Sequence, residues 1–121
     1  MDLEVVKAGV ITLLARPKLG SFQVACCGDQ VVGTTMVYFE MVASLGGIVY
    51  FIGSAYVLPE YRGRGIFTNL YKSIKERADK DPLSKEIRLI VDKNNESAQK
   101  TYSNLGMKNS NLEFCEKDFI L

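Results

Sequence analysis

The sequence contains no histidine in its 121 residues. That single absence removes Ser-His-Asp and Cys-His catalysis, imidazole bases and imidazole metal ligands. Cysteine is scarce: Cys26, Cys27 and Cys115 only. An odd count with two adjacent residues argues against a disulfide framework and favours a reducing compartment. Zinc-type spacing is missing too, so no metal is expected. Neither sign of charge dominates. Lys plus Arg total 15 against 14 Asp plus Glu, for a net charge of +1. A broad nucleic-acid footprint is therefore not expected, although Arg62 and Arg64 form a small local basic cluster. No apolar run reaches membrane-spanning length. Met1-Asp2-Leu3-Glu4 lacks the basic start of a secretory signal. These absences describe a cytoplasmic protein with neither nucleic acid nor membrane as partner.

What is present fits one ordinary globular domain over 1–121. Apolar residues make up 47% and charged residues 24%, enough to bury a modest core. Leu3, Val6, Val10, Leu13 and Leu14 line one helical stripe, and Pro17 and Gly20 end it. Phe22–Cys27, Val31–Met41 and Ile48–Val57 read as three strands. Gly28-Asp29 marks a hairpin between the first two, and the third, rich in β-branched and aromatic residues, reads as buried. Together they describe an antiparallel meander.

Pro59 closes the third strand. Ile66, Leu70, Ile74 and Ala78 then recur every fourth residue, giving an amphipathic helix that Asp81-Pro82 stops. Ile87, Leu89 and Val91 alternate as a strand. Strand, helix and strand in succession predict a right-handed parallel crossover. Asn95 offers an N-cap to a last helix, with Ala98, Tyr102 and Leu105 at helical spacing and Gly106 as its stop. Leu112, Phe114, Phe119 and Ile120 predict one or two closing strands.

The stretch Glu60-Tyr61-Arg62-Gly63-Arg64-Gly65 carries the most chemistry. A strand ends, glycines follow and a helix begins. Gly63 and Gly65 let backbone approach an anion at a helix start, where free N–H groups and a partial positive charge lie. Arg62 and Arg64 add charge. Taken alone, so short a glycine pattern is more often a surface turn. A dinucleotide loop fits worse, because its third glycine would fall at Thr68. A Walker loop is excluded for want of Gly-Lys-Ser/Thr.

These residues resemble the acyl-CoA signature of the GNAT superfamily of N-acetyltransferases: Arg62, two residues, Gly65, one residue, then Phe67 where glycine or alanine is common. Ile52-Gly53-Ser54-Ala55-Tyr56-Val57, Pro59-Glu60 and Gly65-Ile66-Phe67 look like one branch of that superfamily. Asn95, Ala98, Tyr102, Leu105 and Gly106 look like its downstream helix motif, and Glu113–Phe119 resembles the same branch. The resemblance runs from about Gly20 to the C-terminus.

The resemblance implies an α+β (mixed α/β) fold: a twisted, mainly antiparallel sheet, a parallel strand–helix–strand crossover and flanking helices. Relatives usually begin with a strand and two helices, so this version is N-terminally shortened, with an exposed strand edge that a homodimer would cover. It implies acetyl-CoA as co-substrate and acetyl transfer to a primary amine, on a small molecule or a peptide. Tyr56 and Val57 are expected along the pantetheine arm, and the backbone of Gly63, Arg64, Gly65, Ile66, Phe67 and Thr68, with Arg62, at the diphosphate. Asn95 is expected at the pantetheine end and Tyr102 at the thioester sulfur, as general acid. Many relatives carry a glutamate where Gly53, Ser54 and Ala55 stand here. Glu40, or a water chain through Ser54, is then the base candidate. That missing glutamate and the shortened start also fit a non-catalytic acyl-CoA-binding sensor or subunit. Cys26 and Cys27 read as packing residues.

Overall fold

Eleven residues of β-branched and aromatic character, Gly47–Val57, form the central long strand to which the other elements are fitted. A computed structural model describes residues 2–117, which fall into two compact units divided between Ile90 and Val91. In the first, helix α1 (Leu3–Leu14) precedes β1 (Gly20–Cys27), β2 (Gln30–Val42) and β3 (Gly47–Val57). Helix α2 (Ile66–Asp79) and β4 (Ser84–Leu89) follow. The sheet runs β1-β2-β3-β4, antiparallel through the first three strands and parallel between β3 and β4. The predicted meander and crossover are therefore both present, as a mixed α/β fold.

Asp2 caps α1, its Oδ1 accepting from the Glu4 N–H at 2.9 Å. The apolar stripe on α1 is only half used: Val10 and Leu13 are partly covered, while Leu3 and Leu14 stay exposed. Gly28, at φ 60°, makes the two-residue turn between β1 and β2. Cys26 and Cys27 are exposed, not packing residues as expected. They end an edge strand at its hairpin, where the ladder gives them no second neighbour.

The spacing of four along α2 buries Leu70, Ile74 and Ala78 against one face of the sheet. Val37, Tyr50, Ile52, Ile74 and Ala78 make the core, flanked by Phe39, Ile87 and Leu89. Gly33 sits under the start of α2, where a Cβ would come within 2.9 Å of Ile66 Cγ2.

Two expectations change here. The pattern Ile87, Leu89, Val91 predicts a strand through Val91, but β4 ends at Leu89, and β3–β4 pairing stops at Ile52 opposite Leu89. Consequently β3 is not buried throughout: Gly53 to Tyr56 are exposed. The second unit holds helix α3 (Glu96–Asn104). No closing strand forms over Leu112 and Phe114, both largely exposed; Phe119 and Ile120 lie outside the described residues. Among the described residues no helix is long and apolar enough to cross a membrane.

Candidate active site

The open half of β3 is built by a register shift. Met36 pairs with Ser54 and Val37 with Ile52, leaving Gly53 as an extra residue. A Cβ on Gly53 would lie 2.4 Å from Met36 Cε and 3.0 Å from Tyr38 Cε1, so glycine suits the bulge. Past it β3 keeps β2 on one side but, among the described residues, has no strand on the other, because β4 has ended. The backbone of Ala55 and Val57 on that side is offered to a ligand instead of a ladder. The Leu58 N–H bonds to the Val32 carbonyl at 2.8 Å. Strand alternation therefore turns the neighbouring Val57 N–H away from β2, towards the open side. Tyr56, one residue back, directs its own backbone to β2 and exposes its ring.

Leu58 to Gly65 lead from this edge to α2. Pro59–Tyr61 form a single 3-10 turn. Arg62 Nε donates to the Val57 carbonyl at 2.9 Å, and its guanidinium lies 5.4 Å from the Tyr56 ring centre. Arg62 thus clamps the loop to the end of β3, which leaves its terminal nitrogens for an anion. Arg64 stacks on Tyr61 at 5.1 Å. It also lines an open cleft of about 330 Å³ with Cys26, Cys27, Ile66 and Asn69.

Gly63 and Gly65 take φ of 76° and 77°, a conformation that side chains disfavour. A Cβ at either would meet no atom within 4 Å, so the space above the loop is open. Gly65 caps α2 without a side-chain bond, and the first amide to reach back into the helix is Asn69, to the Gly65 carbonyl at 3.0 Å. The leading amides of the turn Ile66–Thr68 lie outside that ladder and carry the positive end of the helix dipole. Nine of the predicted residues, Tyr56, Val57 and Arg62 to Thr68, therefore lie on one continuous run of backbone. Its charge and openness fit a diphosphate.

Asn95 and Tyr102 belong to the second unit. Asn95 Oδ1 accepts from the Ala98 N–H at 3.1 Å, so its oxygen caps α3 and its amide nitrogen is what it can offer a ligand. Met107 N–H bonds to the Tyr102 carbonyl at 3.1 Å and Gly106 N–H to Ser103 at 3.0 Å, a Schellman stop with Gly106 at φ 89°. Tyr102 is half-buried, and burial pushes its phenol above the ordinary value of 10.0.

A sequence profile of the acetyltransferase (GNAT) family matches residues 5–107. The chain belongs to that family. Several proteins of known structure superpose closely on it. A possible acetyltransferase from Clostridium difficile 630 is 35% identical, with TM-score 0.90 over 100% of this chain and 80% of that one. A transcriptional regulator from Bacillus halodurans C-125 is 27% identical, with TM-score 0.82 over 95% of this chain and 76% of that one. An aminoglycoside N-acetyltransferase in complex with CoA shares the fold at 18% identity, with TM-score 0.74 over 98% and 96%. No curated protein matches the sequence. The bulge, the short β4 and the glycine loop lie together at one end of the sheet. Sequence reasoning missed Gly53 as the bulge residue of β3; a glycine inside a strand pattern was the available signal.

Proposed function

We propose that residues 1–121 act as one acetyltransferase domain that transfers acetyl from acetyl-CoA to a primary amine. The observation that carries this reading is the exposed end of β3 leading directly through the two positive-φ glycines of the loop into the start of α2. Acetyl-CoA would supply the activated acyl group and a thiol leaving group. The amides of the α2 first turn and the Arg62 guanidinium hold the diphosphate. Val57 N–H, turned to the open side, donates to the oxygen that gains charge as the amine adds. Fixing both partners in one cleft supplies much of the rate.

Tyr102 serves as general acid. Its raised pKa keeps the phenol protonated throughout the neutral range, so a proton is always present for the departing sulfur. Gly53, Ser54 and Ala55 hold no carboxylate at the cleft, and water ordered by Ser54 takes the proton of the amine. A second reading, a non-catalytic acyl-CoA sensor, is favoured by that same missing carboxylate.

Thiol release from acetyl-CoA across a panel of amines tests the proposal, with coenzyme A binding followed separately by thermal shift. Binding with amine-dependent release supports the enzyme. Binding without release by any amine supports the sensor, and no shift with coenzyme A removes both.

A further inference from the structure

The face of the sheet opposite α2 carries an aromatic and acidic strip outside the residues assigned above to acetyl-CoA. Register places Tyr38 opposite Phe51 and Glu40 opposite Val49. It also sets Glu86 and Arg88 of β4 beside Val49 and Phe51. The Tyr38 and Phe51 rings stack at 4.9 Å between centroids, 15° apart in plane. Both are half-buried. Tyr38 also borders the Gly53 bulge, so the stacked pair lies at the mouth of the β3–β4 gap.

Charge on this strip is unevenly answered. Glu86 is already taken by Arg88 at 2.7 Å. Glu40, across the buried Val49, is exposed and has no ion pair among the described residues. Its carboxylate lies near enough to raise the Tyr38 phenol, after the larger effect of burial. An open carboxylate beside an electron-rich ring face is a site for an ammonium group.

Position decides what that ammonium is. Val49, beside Glu40, is four positions along β3 from Gly53 at the gap, about 13 Å at the usual strand rise. A diphosphate held at the α2 start lies at the end of the α2 face. An arm passing through the gap emerges on this opposite face, beside Phe51. We infer that the acceptor lies along this strip and bears a second positive charge: a diamine or polyamine. One uncharged amine sits at the gap, and a distal ammonium is bound by Glu40 and the Tyr38 ring. This rests on the acetyl-transfer reading above and names its substrate class.

The test compares spermidine, cadaverine and n-butylamine with wild type, Glu40→Gln and Tyr38→Leu. Wild type should favour spermidine over n-butylamine in kcat/KM by at least about tenfold, the worth of one charge-assisted contact. Glu40→Gln should reduce that ratio about tenfold, mostly through KM. Binding is read independently: with coenzyme A present, spermidine should raise the melting temperature of wild type and not of Glu40→Gln. Equal spermidine binding by both proteins, or none by either, overturns the inference. Glu40-dependent binding with no turnover of any amine upholds this cation site while sinking the acetyl-transfer reading. Urea unfolding of each variant separates loss of the site from loss of the fold.

Discussion

The Tyr50 hydroxyl donates to Asp81 Oδ2 at 2.7 Å, joining the middle of β3 to the turn that follows α2. The same turn is held by the Leu83 N–H, which donates to Asp81 Oδ1 at 2.9 Å. Arg77, one turn earlier, reaches Ser21 Oγ on β1 at 2.8 Å and lies over the Phe39 and Tyr50 rings. The C-terminal end of α2 is thus tied to β1, β2 and β3.

Removing the hydroxyl with Tyr50→Phe should lower stability by about 1 kcal/mol, read from urea unfolding at neutral pH. The pH profile should change as well. The Tyr50 hydroxyl, then the Leu83 N–H, hold Asp81 below its ordinary value of 3.8. Its contribution is present above that value and is lost as pH falls through the lower folded pKa. Burial, then Asp81, raises Tyr50 above 10.0, so its contribution holds below that pH and is lost as pH climbs through the higher folded value. In Tyr50→Phe the acid loss should be shallower and the alkaline loss smaller. An unchanged profile would mean that the bond does not stabilise the fold.

Gly65→Ala should damage binding more than folding. The left-handed φ of 77° costs an L-residue about 1 kcal/mol, and relaxing it would turn the first amides of α2. Coenzyme A affinity by calorimetry should fall at least about tenfold, with a modest loss in urea unfolding. Gly33→Val works from beneath: it pushes Ile66 outward and should weaken coenzyme A without touching the loop. Wild-type affinity in both variants would count against the α2 start as the diphosphate site.

Tyr102→Phe should reduce kcat by about 10²- to 10⁴-fold, the usual worth of a positioned proton donor, with coenzyme A affinity close to wild type. Because burial raises this phenol, the alkaline decline in kcat should lie above pH 10.0. A decline well below that pH, or full activity in the variant, would assign the proton to another group.

Arg62→Ala removes both the bond to the Val57 carbonyl and the stacking on Tyr56. Coenzyme A affinity should fall by about tenfold and lose part of its salt dependence. Arg62→Lys should rescue little, since an ammonium cannot bridge the carbonyl and the phosphate at once.

Much of the fold was legible because side-chain periodicity reports which face is covered. Ile66, Leu70, Ile74 and Ala78 announced α2, and three of the four are buried. Val57 was correctly read as the last residue of β3, since Pro59 follows. Periodicity says nothing about pairing, so Val91 was assigned to a strand that ends at Leu89. The Tyr38–Phe51 stack was equally invisible: it depends on a register that the Gly53 bulge shifts by one. Glu40 was noticed as a base candidate or a solvated strand residue, and its place two residues from Tyr38 on one sheet face rests on the same pairing. Leu112 and Phe114 were read as part of a closing strand, but alternating residues form a strand only where a neighbour accepts their backbone bonds.

The connection between β3 and β4 spans a whole helix, whereas β1, β2 and β3 are joined by short turns. During folding, the meander can zip from its hairpins at little loop-closure cost, while β4 must wait for α2 to form and dock. Amide exchange should accordingly protect β2 and the inner half of β3 longest, with β4 opening before them. The gap that would admit the pantetheine arm is bordered by the last strand to arrive and the first to leave.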